Sequence, residues 1–100
     1  EGAIRAVTEE VHVVVARAHG AELIIEKDNV STAVQLKKYA DKVGNKAIQE
    51  VIGSIKYYDC DNGMVITTGT FTPSALELAN ANNIKLVDRK DLKKLLDKII

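Results

Sequence analysis

Gln35, Leu36 and Lys37, with Glu22 on the apolar run before them, are the residues whose types and spacing can do chemistry. Glu22 offers a carboxylate and Gln35 an amide oxygen. The backbone carbonyl of Leu36, between Gln35 and Lys37, is a third oxygen donor. Magnesium prefers oxygen ligands in octahedral geometry and keeps several of its waters. Lys37 follows Gln35 by two residues, so in an extended chain the two side chains share a face. Its ammonium can orient a water, lower its pKa or stabilise phosphate charge. Phosphodiester hydrolysis needs an activated water and a partner for the charge that grows on the phosphate, and such a set can supply both around a metal ion.

Two strands must bring these residues together. Residues 21–27 alternate, with Leu23 and Ile25 on one side and Glu22, Ile24 and Glu26 on the other. Asp28-Asn29 is a turn signal. Residues 31–38 alternate again, placing Val34 and Leu36 opposite Ala33, Gln35 and Lys37. The pair reads as an antiparallel hairpin. Before it, Val11, Val13, Val14 and Val15 favour a strand over about 11–17, preceded by a short helix. A single helix running to Gly20 competes with that reading, because Ile4, Val7, Val11 and Val14 also sit at helical spacing.

The rest of the chain alternates between the two periods. A helix is expected over residues 43–58, with a start at Gly44-Asn45 and a core stripe of Ile48, Val51, Ile52, Ile55 and Tyr58. Residues 63–69 read as a strand whose Met64-Val65-Ile66 run suits burial on both faces. Thr72-Pro73 opens a helix that Asn82-Asn83 ends. Ile84 to Val87 is a strand, and Asp88 with Asp91 can cap a last helix carrying Leu92, Leu95, Leu96 and Ile99. Helix and strand in alternation imply parallel strands with right-handed crossovers. With the hairpin in front, the expected fold is α/β, a mixed central sheet flanked by helices, in one domain over residues 1–100.

Composition sets the outer bounds. The chain has 100 residues, 46% apolar and 28% charged, as in ordinary globular proteins. Its apolar runs are far shorter than the roughly 20 residues that span a bilayer, and it has no signal-peptide layout. Cys60 is alone, which excludes an intrachain disulfide and a cysteine-based zinc site. A reduced, cytoplasmic setting is expected. Net charge is zero, against strong non-specific nucleic-acid binding by the whole surface. Residues 31–46 and 84–100 each carry +3, and residues 1–30 and 47–83 each carry −3. Local basic patches and a solvated helix face are both open readings of those segments.

The segments together resemble the Mrr-type restriction endonuclease domain of the PD-(D/E)xK superfamily. Val34-Gln35-Leu36-Lys37-Lys38-Tyr39 is similar to that family's Gln-x-Lys variant. Val43 with Ala47-Ile48-Gln49-Glu50-Val51 resembles the helix that follows it. The run from Met64 to Ala75 resembles the family's strand, loop and helix, and Ile84 to Asp88 its closing strand. The resemblance covers residues 21–92. It implies a restriction-endonuclease-like fold and a magnesium- or manganese-dependent DNA endonuclease. Catalysis would rest on Glu22, Gln35 and Lys37, and the metal on Glu22, Gln35 and the Leu36 carbonyl. It also implies DNA as partner, with a homodimer or a further DNA-recognition domain for double-strand cutting, and no membrane.

The departure from the family lies at Arg17-Ala18-His19-Gly20-Ala21-Glu22. The family typically has a glycine-rich loop with aspartates that ends in the metal-binding Asp. Here Glu22 stands in that place, Ala18 replaces an acidic residue, and the N-terminal part reads as shortened. Glu9 or Glu10 is the candidate for an additional helix carboxylate. The alternative function is therefore a catalytically inactive nuclease-fold module for DNA or protein binding.

Other residues have plainer readings. The plainer reading of Glu22 is an exposed strand carboxylate, and that of Gln35 and Lys37 a solvent face opposite Val34 and Leu36. His12 and His19 read as structural or loop residues, and Tyr57 and Tyr58 as core or interface rather than base-stacking residues. Thr67, Thr68 and Thr70 suit either phosphate contact or loop capping. Cys60 lacks a nearby His or basic pair, so it is not expected to be a nucleophile.

Overall fold

The computed structural model describes residues 12–15, 23–38 and 41–99. Strand β1 is His12–Val15, β2 Leu23–Lys27 and β3 Val30–Lys37. A short strand β4, Lys42–Val43, precedes helix α1, Asn45–Tyr58. Then come β5 (Asn62–Thr67), β6 (Thr70–Phe71), α2 (Pro73–Ala81), β7 (Ile84–Val87) and α3 (Arg89–Ile99).

The main sheet has the order β1-β2-β3-β5-β7. β1, β2 and β3 pair antiparallel, whereas β3, β5 and β7 run parallel. This is the mixed α/β sheet expected. Of the two readings of residues 11–17, the strand is realised at His12–Val15. The short helix expected before it lies outside the described residues. Asp28 and Asn29, with φ of 55° and 66°, form the two-residue turn between β2 and β3. Such left-handed pairs match the natural twist of a hairpin.

α1 and α2 cover one face of the sheet. Ile24, Ala33, Val65 and Ile84 meet Ala47, Ile48 and Val51 of α1 and Ala75 and Ala79 of α2 in one buried cluster. Gly63 allows the close seating of α1 on β5, because a β-carbon there would lie 2.5 Å from Ile55 Cδ1 and 2.9 Å from Ile84 Cδ1. The predicted caps form. The Thr72 hydroxyl accepts from the Ala75 N–H at 3.1 Å. Asp88 and Asp91 each accept the other's backbone N–H at 3.0 Å, a reciprocal box at the start of α3.

Local expectations are corrected at Val43 and Ile52. Val43 is not helical: it is buried and pairs with Phe71 in a second, two-stranded sheet. The expected start at Gly44-Asn45 is realised, with Gly44 extended (φ −102°, ψ −164°) as the cap and Asn45 the first helical residue. Ile52 is half-buried, because the stripe of α1 centres on Ile48 and Val51. The leucine stripe of α3 is only partly covered, with Leu95 and Leu96 about half exposed at 51% and 55%.

Candidate active site

β3 delivers its alternate residues to the α1 face. Ala33 lies in the buried cluster, and Gln35 and Lys37 follow it on the same side. They sit beside Val65 and Thr67 of β5, their partners in the parallel register. Val34 and Leu36 point to the other face. The parity read from the sequence is therefore realised. The solvent-face reading is not, since Gln35 is only 4% exposed.

Glu50 on α1 joins the two. Its Oε1 accepts from Gln35 Nε2 at 3.4 Å and lies 3.2 Å from Lys37 Nζ. A carboxylate can only accept, so the amide nitrogen must face Glu50 and the amide oxygen must face away. That oxygen, Gln35 Oε1, is buried and has no hydrogen-bond partner among the described residues. Buried polar atoms are normally paired, and an orphan marks a place for an ion, a water or a ligand. A hard oxygen with an unused lone pair fits a magnesium-type cation. A glutamate at position 35 could not donate to Glu50 and would set two carboxylates against each other. Glutamine can donate with one end while presenting an oxygen with the other.

The C-terminal ends of β3 and β5 are tied by backbone and side-chain contacts. The Thr68 N–H donates to the Lys37 carbonyl at 3.4 Å, and Arg89 Nε donates to the Thr68 carbonyl at 3.0 Å. Thr67, 1% exposed, accepts the Gly69 N–H on its hydroxyl at 3.0 Å, so its role is loop capping. Cys60 lies elsewhere, beside the Ser31–Asp61 contacts that tie the start of β3 to the residue before β5. Burial pushes its thiol above the ordinary value, and Asp61, Asp59 and Glu26 add to that rise against a Ser31 hydrogen bond. A thiol shifted that way is a poor nucleophile.

Glu22, Glu9, Glu10 and His19 lie outside the described residues. Leu23, which follows Glu22, pairs with Val34, and Ile24 pairs with Ala33. Among the described residues no three His, Cys, Asp or Glu side chains gather into a metal cluster. Glu50 is the site residue that sequence reading missed. The signal available was a carboxylate flanked by the core residues Ile48 and Val51 on the helix after the Gln-x-Lys strand.

Residues 6–96 match the model of the restriction endonuclease family Mrr_cat. The chain belongs to that family. Three solved structures share the Mrr_cat chain's fold. The DNA modification-dependent restriction endonuclease AspBHI is 20% identical, with a TM-score of 0.69 over 98% of this chain and 29% of that one. The protein of unknown function AF1548 is 15% identical, with a TM-score of 0.67 over 87% of this chain and 54% of that one. A repair endonuclease from Pyrococcus abyssi is 16% identical, with a TM-score of 0.59 over 85% of this chain and 41% of that one. The Mrr_cat chain thus spans about half or less of each. Among curated protein sequences none matches.

Proposed function

We propose that the chain is a metal-dependent DNA endonuclease that hydrolyses phosphodiester bonds, with Glu22, Gln35 and Lys37 as its catalytic residues. The observation that carries the reading is the buried amide of Gln35. Glu50 holds its nitrogen and, among the described residues, its oxygen has no partner, two residues from a lysine on the same face. Glu22, Gln35 Oε1 and the Leu36 carbonyl would hold magnesium or manganese. Such an ion, when bound, polarises the phosphate and lowers the pKa of its water. Lys37 offers its charge to the scissile phosphate, and Glu50 keeps that ammonium over the site. DNA is the substrate, and a cytoplasmic setting would give access to it. One site cuts one strand, so a double-strand break calls for a homodimer or a second visit. Sequence recognition would come from a further domain of a longer protein.

A second reading, a nuclease fold kept for binding, has one observation behind it. The Lys37 ammonium is already paired with Glu50. Calorimetric titration with magnesium and manganese, followed by a plasmid-nicking assay, separates the two. The endonuclease reading expects metal binding and metal-dependent nicking. A wild-type chain that does neither belongs to the second reading.

A further inference from the structure

α1 carries a feature that extends from the candidate site along the helix. Gln49, Glu50, Gly53, Lys56 and Tyr57 line a groove of about 450 Å³. They recur at three- and four-residue steps, so they stack on one side of the helix. Gly53 stands mid-helix, exposed, and a β-carbon there would meet nothing within 4 Å. Packing does not require a glycine at this place, and glycine weakens a helix relative to alanine. Its missing side chain does provide room for a ligand backbone to come close.

Tyr57 is 62% exposed, yet its ring is held by an edge contact with half-buried Tyr58, centroids 4.8 Å apart at 82°. An exposed, oriented ring beside a lysine is the chemistry of a stacking platform with a phosphate contact. Exposed Lys46 adds a second cation on the same helix, about 15 Å from Lys56 along the axis. Glu50 lines the groove and also accepts from Gln35 and pairs with Lys37. Groove and candidate site therefore share a wall.

We propose that this groove holds one unpaired DNA strand beside the scissile bond. A base stacks on Tyr57, a phosphate meets Lys56, and the strand crosses the helix at Gly53. Bases inside a duplex are covered on both faces, so stacking on a side chain requires a nucleotide already unpaired or pulled out. The chain therefore prefers DNA with unpaired nucleotides next to the cleavage point. The inference rests on the endonuclease reading above and narrows its substrate.

The test is fluorescence anisotropy on the 100-residue chain with calcium replacing magnesium, comparing a short single strand, a flap and a matched duplex. Sedimentation of the protein alone and metal-dependent plasmid nicking are measured in parallel. Wild type should bind the single strand and the flap at least about tenfold tighter than the duplex. Tyr57→Ala should weaken strand binding roughly five- to hundredfold, the range for losing one base–aromatic stack, and Tyr57→Phe should retain it. Gly53→Leu should raise the melting temperature while weakening strand binding. The proposal is overturned if both Tyr57→Ala and Gly53→Leu bind the strand like wild type, or if wild type binds duplex as tightly, while nicking persists. It is also overturned if the substitutions alter sedimentation and leave DNA affinity unchanged, which would make the groove a protein interface. A wild type that binds no DNA form refutes the endonuclease reading itself, and this inference with it.

Discussion

Gln35 is the residue on which the proposed chemistry of this chain turns. It is buried, and its donor end is fixed by Glu50. Gln35→Glu would bring a second carboxylate against Glu50 in a site that excludes most water. Without metal the variant should lose about 1–3 kcal/mol of stability, as for an unsatisfied buried polar group. Millimolar magnesium should restore much of that loss, because a cation held by Glu22, the position-35 carboxylate and the Leu36 carbonyl would offset the added charge. Melting curves in EDTA and in magnesium check this, and an unchanged melting temperature in EDTA would mean the site is wetter than described. Lys37→Ala should abolish metal-dependent nicking with little effect on stability, since an ion pair a quarter exposed contributes only about 0–1 kcal/mol. Glu22→Asp should preserve or raise nicking if Glu22 fills the place of the family's aspartate. Shortening the side chain moves its oxygens by roughly an ångström, enough to change a rate. Loss of all nicking in that variant would remove Glu22 from the metal site.

At the scale of elements, α1 decides whether the site exists at all. It buries Ile48 and Val51 completely and carries Glu50 between them. Ile48→Asp should leave the chain unfolded or aggregated, because an unpaired charge in a closed core costs several kcal/mol. Ile52→Asp, at a half-buried position, should be milder and leave a folded protein of lower melting temperature. Chemical denaturation of the two variants ranks them, and the opposite order would mean the helix is rotated. α2 depends on its cap. Thr72→Ala removes the acceptor for the Ala75 N–H and should cost about 0.5–2 kcal/mol, as at other helix N-termini.

For the whole molecule, the candidate site lies on one face of one sheet, between β3 and α1. Under the endonuclease reading, a lone chain would meet one phosphodiester at a time. Supercoiled plasmid should therefore turn first into nicked circles and only later into linear DNA. A time course on agarose shows this directly. Linear product appearing without a nicked intermediate would mean that two chains act together. Among the described residues no helix is long and apolar enough to cross a membrane.

The order of elements from β2 to α3, the short β4 and β6 apart, follows from local rules that the sequence carries openly. Period-two alternation set β2 and β3 and placed Gln35 and Lys37 on one face. The turn pair Asp28-Asn29, the Thr72 cap and the Asp88–Asp91 box appear where their residue types require them. Side-chain direction in a strand and capping at a helix end depend on residues a few positions apart, so they can be read along the chain. Long-range matters could not be. Val43 leaves the helix because Phe71, far along the chain, offers it a strand partner. Glu50 belongs to the site because α1 crosses β3 at one particular height, and helix periodicity gives a facing direction without a height. The orientation of the Gln35 amide follows from that crossing, since an acceptor on one side forces the nitrogen toward it and the oxygen away. The sequence thus determined which residues can do chemistry, and tertiary packing decided which of them meet.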